Sequence, residues 1–146
     1  MRRLPAIFAV AVLTTAVLNA HVTVWPRESK AGASEKYAVR VPTEGKVPTK
    51  SVELEVPAGV TITGIEAPSG FTYEARREGD RIVTVTWTMD IKPGEFREFV
   101  FIARNPKDAR EIAWKVHQRF ADGTSSDWVG DAGSRQPASV TKLTAP

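Results

Sequence analysis

An all-β antiparallel sandwich is the fold class predicted for this 146-residue chain, and three observations predict it. Apolar and polar residues alternate with a period of two in one segment after another. Pro, Gly and charged turns punctuate these segments roughly every 8 to 12 residues. No window of helical period with capping residues competes.

The elements follow in order. Met1-Arg2-Arg3 is a short positive stretch, and Leu4 to Leu18 is an apolar run. That run is shorter than the roughly 20 residues a membrane span needs, and it has the length and flanks of a signal-peptide core. Cleavage after Ala20 would leave one mature domain, residues 21–146, starting at His21. Thr14-Thr15-Ala16 offers a rival site that would leave four residues ahead of His21. A periplasmic or secreted location is expected on the leader alone.

In the mature part, Val22 and Val24 start the first strand and Pro26 stops it. Tyr37, Val39 and Val41 alternate up to Pro42, and Val52, Leu54 and Val56 up to Pro57. Val60 to Ile65, Phe71 to Tyr73, Arg81 to Thr88 and Phe96 to Ala103 are further strands, rich in β-branched and aromatic residues. Ile112, Trp114 and Val116 alternate again, and Ala121-Asp122-Gly123-Thr124 is a hairpin tip leading to the strand of Trp128. Residues 129–146, rich in Gly, Pro, Ala, Ser and Thr, read as a strand end with a loose tail.

Charge and composition exclude several classes. The formal charge of +3 falls to +1 once Arg2 and Arg3 leave with the leader, with 18 basic side chains against 17 acidic ones. No basic run or stacking platform is present, so nucleic acid is not an expected partner. The chain has no cysteine, and Met89 is the only methionine outside the leader. Thiolate sites and conventional soft Cu(I) sites are therefore excluded. No Ser/His/Asp or Cys/His set marks a catalytic centre.

A histidine at a mature N-terminus is a different object from a histidine within a chain. The α-amine and the ring Nδ1 of one residue can chelate the same metal, and both donors shed their protons at little cost near neutral pH. Amine and imidazole nitrogens suit Cu(II), which leads the divalent affinity order. His21 is thus a candidate metal ligand.

His21-Val22-Thr23-Val24-Trp25-Pro26 and Tyr37-Ala38-Val39-Arg40-Val41-Pro42-Thr43-Glu44 resemble the opening of the YcnI-like copper-binding domain family. The resemblance runs on through Val47 to Leu54, Pro57 to Val60, Gly70 to Glu74, Thr86-Trp87, Pro93 to Phe96 and Phe99. It closes with Gln118-Arg119-Phe120-Ala121-Asp122-Gly123 and Trp128, so it covers essentially the whole mature chain. It implies an immunoglobulin- or cupredoxin-like sandwich and a brace made by a single histidine. In that brace His21 gives both nitrogens to copper, Glu44 adds an oxygen, and Trp128 lies beside the metal. One carboxylate would lower the charge of bound Cu(II), and an indole face would exclude water and attract the cation. Trp25, Trp87 and Trp114 read as core or sheet-face residues, with Trp25 near enough in sequence to line the site. Glu28 is the rival carboxylate.

His117 is the other histidine outside the leader. If it converged with His21, two histidines and the amine would form the T-shaped brace of copper monooxygenases. The spacing of Trp114 and Val116 sets it on the opposite strand face. The expected role is therefore non-catalytic: copper trafficking, storage or homeostasis, with copper and other periplasmic copper-trafficking proteins as partners. The alternatives are an oxidative copper enzyme and a metal-free immunoglobulin-like adhesion module. Members of the family often carry a C-terminal membrane anchor; this chain ends at Thr144-Ala145-Pro146, and no anchor is expected in the mature part.

Overall fold

The alternating segments become strands that pack as two sheets in a computed structural model, which describes residues 21–146. The leader and its cleavage site lie outside the described residues. Among the described residues there are eleven strands and no helix, so no helix is long and apolar enough to cross a membrane.

One sheet has four strands, β1 (Thr23–Trp25), β3 (Ser34–Pro42), β8 (Phe96–Arg104) and β5 (Thr61–Ile65), in that spatial order. The other runs β2 (Glu28–Lys30), β11 (Ser139–Thr144), β9 (Glu111–Phe120), β4 (Thr49–Glu55), β7 (Arg81–Ile91) and β6 (Thr72–Glu78). β10 (Ser125–Trp128) also pairs with β9. All strand pairs are antiparallel except β2 with β11, which is parallel. The chain changes sheet at the Trp25–Pro26 peptide, which is cis.

The period-two pattern fills the space between the sheets. Tyr37, Val39 and Val41 of β3 and Phe99, Phe101 and Ala103 of β8 point inward from one side. Val52 and Leu54 of β4, Val85 and Trp87 of β7, and Ile112, Trp114 and Val116 of β9 meet them from the other. Aromatic rings lock the two layers together: Tyr37 lies 4.8 Å from Trp114, and Trp87 stacks on Phe99 at 5.0 Å. Such pairs add about 0.5–1.5 kcal/mol each beyond the area they bury.

The expected loose tail is not there. Residues 139–144 form β11, an internal strand held by β9 on one side and β2 on the other. Its inward face is Ser139, Thr141 and Leu143, all buried. The two hydroxyls are satisfied: Ser139 Oγ accepts from Val24 N at 2.8 Å, and Thr141 Oγ1 accepts from Trp114 Nε1 at 3.0 Å and donates to Pro26 O. Buried polar side chains are as a rule paired in this way, and two hydroxyls on the inner face leave no apolar alternation to mark the strand.

β9 organises the region that matters most. β4 flanks one edge of it; the other edge is shared end to end by β11, opposite Ile112 and Trp114, and β10, opposite Val116 and Gln118. The β9–β10 hairpin turns through Ala121 to Thr124 as expected, with Gly123 at φ 84°, a left-handed conformation that a side chain would strain. Asp122 accepts hydrogen bonds from the Thr124 hydroxyl and amide, which hold its carboxyl below the usual range.

Candidate metal centre

β10 brings Trp128 back along β9 so that it pairs with Val116, and directly opposed residues share a sheet face. Val116 is buried in the core, so Trp128 takes the inner face, at the end of the sandwich where β10 gives way to β11. β1 crosses that end. Val24 within it and Val22 just before it are buried and fix the strand, and Val24 N is tied to Ser139 of β11. His21, just ahead of β1, is half-buried, and its ring lies 5.2 Å from that of Trp128 with the planes tilted by 51°. The first residue of the predicted mature chain thus meets one of the last aromatic residues.

Trp128 is held from its other edge. Its indole Nε1–H donates to Gln118 Oε1 at 3.2 Å. The Gln118 amide nitrogen in turn donates to Pro42 O at 2.9 Å and to Thr49 Oγ1 at 2.8 Å. Thr49 Oγ1 shares a hydrogen bond of 2.6 Å with Thr43 Oγ1. Gln118, Thr49 and Thr43 are buried.

Glu44 follows Thr43 directly, at the exposed start of the loop after β3, beside a depression shared with Lys46, Val47, Phe120 and Thr124. The β1–β3 ladder runs toward this loop. Thr23 faces Arg40, so the same antiparallel count carries His21 toward Pro42, two residues short of Glu44. Among the described residues no group of three or more His, Cys, Asp and Glu side chains could hold a metal. A site here must therefore draw a donor from outside that set.

The remaining candidates lie elsewhere. His117 opposes Asp127 in the β9–β10 ladder and therefore sits on the outer face, as the strand parity predicts. There its Nδ1–H donates to Asp127 Oδ1 at 2.6 Å, and its Nε2 faces Glu55 Oε2 at 3.5 Å. The sheet itself separates it from Trp128. Glu28 stands past the sheet change, exposed and opposite Lys142 of β11. Trp25 is an exposed sheet-face residue flanked by the Arg27 and Arg40 guanidiniums at 5.5 and 5.2 Å. Met89 is buried in the core. The sequence reading missed Gln118; the signal was a polar residue in phase with Trp114 and Val116, on the face meant for the core.

Fold and site together define an immunoglobulin-like β-sandwich domain with an aromatic-capped histidine at one end. The chain belongs to the family recognised in its sequence: the family described as a domain of unknown function, DUF1775, matches residues 21–146. It is 38% identical over 144 residues to the copper-binding protein CutI of Bacillus subtilis (strain 168), covering 97% of this chain and 71% of that protein. Among solved structures it is similar to an uncharacterised protein of Nocardia farcinica with an immunoglobulin-like fold. There the TM-score is 0.73 at 27% identity, over 84% of this chain and 97% of the other. A cohesin module of Clostridium perfringens shares the fold alone, with a TM-score of 0.53 at 12% identity over 86% and 95% of the two chains.

Proposed function

We propose that this chain is an exported Cu(II)-binding protein that takes part in copper trafficking, storage or homeostasis and whose cargo site is completed when cleavage frees the amine of His21. The observation that carries the reading is the packing of His21 against Trp128 at the open end of the sandwich. The naming of its relative as a copper-binding protein supports the choice of metal.

The donor set fits that ion. With no cysteine and with Met89 in the core, no exposed sulfur donor is present among the described residues. The nitrogens of His21 and the carboxylate of Glu44 make a mixed N/O set, which suits Cu(II) better than a soft ion. The α-amine adds a main-chain donor to these two side chains. In this reading, His21 chelates through its amine and Nδ1, and Glu44 adds one negative charge. The Trp128 indole covers one side, excluding water and attracting the cation through its ring face.

Export rests on residues 1–20 and on the need for a free amine. The two-histidine brace of an oxidative copper enzyme requires a second histidine arm, and His117 lies across the sheet, engaged by Asp127 and Glu55. The protein is therefore read as a binder and not as an enzyme.

Cu(II) titration by calorimetry and EPR of a protein beginning at His21 tests this, against the same protein with one Ala ahead of His21. Tight one-to-one binding with a nitrogen-coupled signal is expected from the first and loss or alteration of that signal from the second. His117→Ala is expected to leave the affinity unchanged. Equal, weak binding by both proteins would overturn the proposal and leave a metal-free immunoglobulin-like module.

A further inference from the structure

We infer that Gln118 is a positioning residue of the copper site: it sets the angle of the Trp128 indole and ties it to the segment that carries Glu44. The inference rests on the copper reading above. Gln118 sits on the inner face of β9 with only 3% of its surface exposed. A buried primary amide costs free energy unless its polar atoms are paired. Here the pairing is specific. An indole N–H can only donate and a peptide C=O can only accept, so the Gln118 amide has one orientation: oxygen toward Trp128, nitrogen toward Pro42.

The second amide proton extends the connection. It goes to Thr49 Oγ1, which shares a hydrogen bond with Thr43 Oγ1, and Thr43 is bonded in the chain to Glu44. Four strand ends thus converge on one side chain: β10 through Trp128, β9 through Gln118 itself, β4 through Thr49 and β3 through Pro42. Trp128 cannot shift alone without breaking its part-buried hydrogen bond to Gln118, nor Thr43 without breaking its buried one to Thr49. A copper ion between His21, Glu44 and Trp128 would meet an indole already held in place and a carboxylate whose neighbour Thr43 is tethered, which lowers the ordering cost of binding.

The test uses the protein beginning at His21 and Cu(II) alone. In the metal-free protein, the indole N–H of Trp128, assigned by its loss in Trp128→Phe, is expected to exchange with solvent far more slowly than that of exposed Trp25. Exchange as fast as that of Trp25 overturns the inference without any change at Gln118. In Gln118→Met, which keeps length and loses both polar atoms, that exchange is expected to accelerate. The Cu(II) affinity should weaken about tenfold and the EPR parameters shift. Because Gln118 would act through Trp128, adding Gln118→Met to Trp128→Phe should weaken binding little further. Additive effects, or an affinity within about twofold of the parent with an unchanged EPR signal, overturn it. Binding that ignores the free amine of His21 instead removes the copper reading itself, whereas His21-dependent binding that ignores Gln118 removes only the present inference.

Discussion

At Tyr37 one hydroxyl ties three segments together. It donates to Asn105 Oδ1 at 2.6 Å, and Asn105 Nδ2 donates to Ser29 Oγ at 3.0 Å and to Lys30 O at 2.8 Å. The ring is fully buried, and that burial pushes the phenol up to about 12, against smaller downward pulls from its bonds to Ser29 and Asn105. A raised folded-state value means that stability is fully present below the ordinary value near 10 and is lost as pH rises toward 12. We predict that the unfolding free energy from urea titrations falls between those limits, by about 2–3 kcal/mol in all. Tyr37→Phe should abolish that alkaline limb. At neutral pH it should cost about 1–3 kcal/mol, because Asn105 loses its partner.

The β9–β10 hairpin is the element that decides which residues meet. Its register places Trp128 and Gln118 inside and Asp127 and His117 outside, and a slip of one residue would exchange those faces. Inserting one Gly after Gly123 should therefore expose the Trp128 indole and turn Asp127 inward. The expected result is loss of copper-dependent tryptophan quenching with the β signature in circular dichroism retained; quenching that survives would show that the register does not matter. The placement of His117 was legible in the sequence, because Trp114 and Val116 declare the inner phase and leave 117 outside. Trp128 was legible through the Asp122-Gly123 turn together with the family resemblance. Gln118 was in phase too, but a glutamine carries no mark of burial until Trp128, Pro42 and Thr49 are seen around it. The approach of β1 to β11 was beyond reach for a different reason: it depends on a change of sheet at Pro26 that no local pattern encodes.

Across the whole molecule, β11 closes what the earlier strands leave open. It covers the free edge of β9, gives β2 its partner and holds β1 through Ser139. Its inward residues are two hydroxyls and one leucine, which is why composition suggested a tail. A chain ended after Gln136 is predicted to lose cooperative folding, since Thr141 and Leu143 leave the core and Trp114 Nε1 loses its acceptor. A sharp thermal transition in that truncated chain would contradict this role.

The bond from Val24 to Ser139 joins residues 115 positions apart. Contacts of such long range form slowly, because the loop between them must be closed before any gain returns. In the time domain, β1 can pair early with β3, but the meeting of His21 with Trp128 waits for the final third of the polypeptide. The end of the molecule read as the copper site is expected to be the last to mature, so a nascent chain would carry no preformed berth for the ion. Loading would then report that folding is complete.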